Sequence, residues 1–164
     1  MMEKSIKLTN TLLSYMGEHE ITSITEEKQN SEYKGFSFSV YEHTYRSRLA
    51  KLTAKKKGYF VAFREKDINN HNQAYSYDES PNKIVISVID GERKGQSIFP
   101  KLVLLQKGVL RSETSKGKMA MRVYPSWEQE LNNAAEKSQK WQMKYFIDVT
   151  KAVDIARLTD LYFS

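Results

Sequence analysis

The chain contains no cysteine. That excludes disulfides, thiolate metal sites and a cysteine nucleophile. Histidine is scarce, and His19, His43 and His71 stand far apart, which leaves no Cys/His zinc cluster. Long apolar runs are missing too, and none approaches the roughly 20 residues of a membrane helix. The first ten residues, Met1 to Asn10, lack the apolar centre of a secretory signal. There is no phosphate-binding glycine loop, no dinucleotide fingerprint and no serine elbow. Internal repeats, low-complexity tracts and linkers are likewise missing. These absences leave a soluble cytoplasmic protein, with no membrane partner, as the expectation.

What is present is one domain's worth of globular sequence. The 164 residues lie near the common domain size, so a single domain over 1–164 is expected. The 40% hydrophobic and 12% aromatic content is above that of a disordered chain. The net charge of +6 is unevenly spread. Residues 44–66 and 93–122 each carry net +7, while 1–43, 67–92 and 123–164 are net acidic. Two concentrated basic segments suggest an anionic partner, with nucleic acid, DNA or RNA, as the first candidate. Two solvated strands on different faces would give the same charge pattern.

Periodicity supplies a coarse outline. Leu8, Leu12, Leu13 and Met16 follow helical spacing over 2–17, with Gly17 as a stop. Residues 18–32 read as a polar loop. Phe36, Phe38 and Val40 alternate with serines, as in a half-buried strand. Residues 45–53 alternate without a clean apolar face, so a strand there should project Arg46 and Arg48 from a sheet surface. Tyr59 to Phe63 and Met119 to Tyr124 read as strands, and Ile84 to Ile89 as a buried central one. Residues 67–83 read as loop. Pro100 suits the first position of a helix that stops near Gly108. Trp127, Leu131, Ala134, Ser138, Trp141 and Tyr145 recur at helical steps, with Ser126 as the expected cap. A last helix is expected near 153–162. The order of elements suits an α/β fold, on the border of α+β, with a central mixed β-sheet flanked by helices.

The chemistry concentrates in a few places. Arg46, Arg48, Lys51, Lys55 and Lys56, together with Lys57, could neutralise phosphates and release counterions. A charged edge strand is the plainer alternative. Lys116, Lys118 and Arg122 form the second candidate set, with Gly117 allowing close backbone approach. Tyr124 and Trp127 near Arg122 could stack on bases, or simply pack in the core. A metal-dependent nuclease would need converging carboxylates and a lysine. Candidates are Glu32, Asp78 and Asp90 with Lys51, and Mg²⁺ would be the cofactor. Otherwise no cofactor is expected. A relaxed nuclease pattern has an echo in Pro81-Asn82 followed by Glu92-Arg93-Lys94, but asparagine stands where the metal-binding aspartate belongs. The aromatics Tyr75, Tyr77, Trp127 and Trp141 offer a third reading, a pocket for flat cations.

Several ordered stretches resemble the MepB family of bacterial proteins. They are Glu32 to Phe36, Tyr45 to Lys51, Lys56 to Val61, Ile84 to Gly91, Gly95 to Lys101, Gly117 to Trp127 and Gln139 to Gln142, spanning about residues 30–148. Ala54 departs from the family pattern, where proline is expected, and Ser97 stands where an aromatic is usual. The resemblance implies a cytoplasmic protein encoded in some bacteria beside a multidrug efflux pump and its repressor. It also implies a restriction-endonuclease-like core. Fold kinship does not carry activity with it. The expectation is therefore a nucleic-acid-binding protein, assumed monomeric, with an active nuclease or a binder of aromatic cations as alternatives.

Overall fold

A strand reading Ile84-Val85-Ile86-Ser87-Val88-Ile89 has no polar face, so it is stable only where both sides of its sheet are covered. The computed structural model, which describes residues 2–17, 21–27 and 33–164, places it in that setting. Chain order is α1 (Met2–Tyr15), β1 (Thr22–Glu26), β2 (Phe36–Val40), β3 (His43–Leu49), β4 (Lys51–Leu52), β5 (Tyr59–Ala62), β6 (Arg64–Lys66) and β7 (Asn72–Ala74). It continues with β8 (Lys83–Asp90), β9 (Arg93–Pro100), α2 (Lys101–Gln106), β10 (Ala120–Val123), α3 (Asn133–Gln142), β11 (Phe146–Asp148) and α4 (Ile155–Phe163). A six-stranded sheet runs β1-β2-β3-β8-β9-β11, and a three-stranded sheet runs β10-β5-β4. In the large sheet only β3 and β8 are parallel, so it is mixed. The architecture is a single α+β domain, with four α-helices among the described residues.

Strand alternation divides the core in two. Ile84, Ile86, Val88 and Phe99 face one cluster, with Val61 and Val123 of the small sheet and Leu104 of α2. Val85 and Ile98 face the other, with Leu12 and Leu13 of α1 and Leu158, Leu161 and Tyr162 of α4. The small sheet, α2 and α3 therefore cover one side, and α1 and α4 the other. Several polar atoms caught between α1, the sheet and α4 pair with each other, as most buried polar atoms do, while the buried hydroxyls of Ser5 and Ser47 have no hydrogen-bond partner among the described residues. Gln96 donates to Thr9 Oγ1 at 3.1 Å and Ser87 Oγ at 3.0 Å, and accepts from the Tyr162 hydroxyl. Burial of Lys83 lowers its pKa against the pull of Asp160, while its Nζ donates to the Leu161 carbonyl of α4.

Four expectations change. The loop over 18–32 holds a strand, β1, within its described part. The stretch 67–83 contains β7, hairpin partner of β6. Pro100 closes β9 and caps α2 instead of opening it. The helix expected from Ser126 starts at Asn133, because the Asn132 side chain accepts from Ala135 N at 2.9 Å. Glu130, with φ 55°, interrupts any helix before that point. Among the described residues no helix is long and apolar enough to cross a membrane.

Candidate nucleic-acid interface

The two basic segments meet through β5. Cross-strand pairing sets Lys51 of β4 opposite Phe60, and Arg122 of β10 opposite the same Phe60. Directly opposed residues share a sheet face, so both cations flank one half-buried aromatic. The Arg122 guanidinium lies 5.7 Å from the Phe60 ring centre, and Lys51 Nζ lies 5.2 Å from that of Tyr33. Arg122 also donates to Thr53 Oγ1 at 2.8 Å and to the Lys57 carbonyl at 3.2 Å. Those bonds tie the lysine loop to β10.

Alternation along β10 puts Lys118, Ala120, Arg122 and Tyr124 on one side, and all four line a cavity of about 280 Å³ with Lys107, Ser138 and Trp141. Arg122, Tyr124 and Ser138 also line a second cavity of about 510 Å³ with Lys55, Lys56, Lys57 and Glu130. Lys118 and Ala120 reach a third, of about 680 Å³, with Arg111, Lys116 and Asp67. The shared residues make one continuous groove along β10, walled in part by α3. Eight cations and two carboxylates line it. Glu130 is nearly free in solvent and lies 3.9 Å from Lys57, so it neutralises little of that charge.

Strand β10 is an edge, and an edge strand leaves backbone groups unpaired. Here the buried Gln142 of α3 satisfies them. It accepts from Tyr124 N and donates to the Arg122 carbonyl, both at 2.9 Å. One amide thus holds the backbone of the two residues at the middle of the groove.

Arg46 and Arg48 turn away from this surface. Arg48 is wholly buried and donates to Glu27 Oε2 at 2.5 Å, to the Tyr75 hydroxyl at 2.8 Å and to the Ser47 carbonyl at 3.0 Å. Arg46 donates to Glu27 Oε1 at 3.0 Å, and its guanidinium lies 3.7 Å from the Tyr75 ring centre. The strand expected to project these arginines instead lies inside the large sheet, between β2 and β8. Glu27 supplies the countercharge that offsets part of the cost of burial there, although Arg46 Nη1 and Arg48 Nε are buried with no hydrogen-bond partner among the described residues. Burial raises the Glu27 pKa, but Arg48, its hydrogen bond and Arg46 outweigh that and hold the carboxyl below its ordinary value. Gly35 makes room for the cluster, since a Cβ there would stand 2.6 Å from Arg48 Nη1.

The candidate acids do not meet. Glu32 lies outside the described residues. Asp78 lies in the connection before β8, held there by Lys101 Nζ on the Tyr77 and Ser80 carbonyls. Asp90 lies at the far end of β8 and accepts from the Tyr59 hydroxyl at 2.7 Å. The eight-residue strand between them spans about 25 Å. Asn82 of the nuclease echo binds Thr44, at the opposite end of β8 from Glu92 and Lys94. Among the described residues no three His, Asp or Glu side chains are grouped to hold a metal.

The four aromatics form no common cage. Each carries a cation of the chain itself near its ring: Arg46 on Tyr75, Lys101 on Tyr77, Arg93 on Trp127 and Lys107 on Trp141. Trp127 is a packing residue, edge-on to Phe146 and donating to the Tyr59 hydroxyl at 3.2 Å. Lys107 and Arg111 are not among the residues singled out from the sequence, although the second basic segment contains both. The close packing of Gly117 and Lys118 on Val109 and Arg111 brings that segment to the groove.

These features define a class, a single-domain α+β protein with a six-stranded mixed sheet and a basic groove beside a small second sheet. The chain matches the model of the MepB-like family over residues 27–148, and it belongs to that family. It is similar to the protein in the crystal structure of MepB, with 46% sequence identity and a TM-score of 0.81. That match covers 91% of this chain and 99% of the other. No curated protein matches the chain. The family match begins at Glu27, the partner of the buried Arg48 and the half-buried Arg46.

Proposed function

We propose that the protein binds nucleic acid along the β10 groove, with the phosphate backbone held by Lys55, Lys56, Lys57, Lys118 and Arg122. The observation that carries this reading is the continuity of three cavities through shared residues, lined by eight cations against two carboxylates. Phosphate contacts of this kind dominate affinity without needing base readout. Lys51 and Lys116 lie at the margins and add to the field. The restriction-endonuclease-like core implied by the family is in keeping with a scaffold for nucleic acid, and binding needs no cofactor. The setting is the cytoplasm, where the ligand is plentiful. Arg46 and Arg48 take no part in contact, because Glu27 and Tyr75 engage them inside the protein.

A gel shift with DNA and RNA across a salt series tests this. With five phosphate contacts, log affinity against log salt should fall with a slope of about −3.5 to −4.5. Binding that is insensitive to salt, or absent at low salt, would overturn the reading. The same series with Mn²⁺ reports cleavage.

A further inference from the structure

The β8–β9 hairpin sorts its charges between its two faces. Asp90 pairs with Arg93 across the turn, and the next pair inward is Ile89 with Lys94. Directly opposed residues share a face, and successive pairs alternate between faces. The Asp90–Arg93 face is occupied: Asp90 accepts from the Tyr59 hydroxyl, and the Arg93 guanidinium lies 5.8 Å from the Trp127 ring centre. The Ile89–Lys94 face turns toward α1, because Gln96 of the next pair on that face donates to Thr9 of α1. On α1, Lys4, Lys7, Leu8 and Thr11 stand at helical spacing and form one strip. That strip lines a cleft of about 390 Å³ with Ile89, Gly91 and Lys94. Leu8 and Ile89 are half-buried and supply its apolar surface, while the three lysines are exposed. A Cβ at Gly91 would meet no atom within 4 Å, so the turn leaves that end open.

Among the described residues no carboxylate lines this cleft, and none of its three ammonium groups has a hydrogen bond or ion pair. Like charges three residues apart on a helix repel each other, and Lys94 adds a third from the hairpin. The cleft shares no residue with the β10 groove and lies on the other side of the large sheet. We propose that it is a second binding site, for a phosphate monoester with a short apolar tail. Lys4, Lys7 and Lys94 take the phosphate, and Leu8 and Ile89 take the tail. Three ammonium groups suit the near-double charge of a phosphate monoester better than the single charge of a carboxylate. Lysines bind phosphate as point charges, so no fixed fork is needed. The volume falls in the range of small-molecule sites. A free ester and a lipid headgroup share this chemistry.

The test uses the full chain and follows the backbone amides of Thr11, Ile89, Gly91 and Lys94 by NMR as hexyl phosphate is added. Saturable shifts are expected at these amides, with an affinity about tenfold above that of inorganic phosphate, which lacks the tail. Hexanol, which lacks the charge, should shift none of them at the same concentration. K7Q/K94Q should weaken hexyl phosphate binding about tenfold, whereas replacing Lys55, Lys56 and Lys57 by glutamine should leave it unchanged. Absence of saturable shifts at the cleft would overturn the proposal. So would equal affinity for hexyl phosphate and inorganic phosphate, or binding lost in the groove variant and kept in K7Q/K94Q. Vesicles of phosphatidylcholine with and without phosphatidic acid identify the source. Sedimentation only with the phosphatidic acid vesicles, lost in K7Q/K94Q, supports a lipid headgroup. Protein that binds hexyl phosphate and stays in solution with both vesicles supports a free ester. Titration of the unaltered protein needs no variant to fold.

Discussion

Two groups of cations in this molecule come from one stretch of chain and behave in opposite ways. Arg48 is buried and Arg46 half-buried, and they share the Glu27 carboxylate and the Tyr75 ring. Lys55, Lys56 and Lys57, only a few residues later, line an open groove with Arg122. A charge without a counterion is costly in an apolar interior, whereas a solvated one is not. The difference therefore lies in the partner and not in the residue type. Where an acid is present, basic residues become structure, and where acids are sparse they remain available to a ligand.

The largest expected effect breaks the buried side of this comparison. E27A leaves two guanidinium groups without their countercharge and should cost about 3–5 kcal/mol of stability. Urea unfolding at neutral pH measures it, and a loss below 1 kcal/mol would mean that the cluster contributes little. Acid removes the same interaction. Because the folded Glu27 pKa is depressed, its contribution is present above the unfolded carboxyl value near 4.3 and is lost as pH falls through the lower folded value. Stability should therefore fall with acid below about pH 4, and E27Q should flatten that decline.

Q142A should cost about 1–3 kcal/mol, by leaving the Arg122 carbonyl and the Tyr124 amide on the β10 edge without partners. Its nucleic-acid affinity should fall as well, since the same amide positions the groove. E27A should not alter the affinity of the protein that remains folded. Equal effects of the two variants on binding would erase the distinction between the regions.

The smallest effect on stability belongs to the open side. Replacing Lys55, Lys56 and Lys57 together by glutamine should change stability by no more than about 0.5 kcal/mol. The salt slope of binding should become shallower by about 2 to 3 units, to be read by anisotropy across a salt series. Unchanged binding would remove the loop from the interface.

Much of the outline was legible in the chain. Strands β2, β5, β8 and β10 follow from alternating or continuous apolar runs, because a residue's burial in a sheet repeats with the pleat. The N-terminal and C-terminal helices follow from their apolar spacing. The start of α3 differs from the expectation because Trp127 and Leu131 fit the helical period while Trp127 belongs to a turn and Leu131 to the irregular stretch before the helix. The capping bond of Asn132, a local geometric fact, decided the boundary.

By itself the sequence determined the absence of thiol chemistry, the two basic segments, the central buried strand and the family. Each depends on composition or on neighbours close in the chain. The exposure and the partner of each cation were another matter. Glu27 is 21 residues from Arg48, and Arg122 is 69 from Thr53. Only folding joins them, because strand pairing and helix packing bring together residues that no local pattern connects. Tertiary structure alone therefore decided that one basic pair is engaged by an acid while Lys55–Lys57 and Arg122 open onto a common groove.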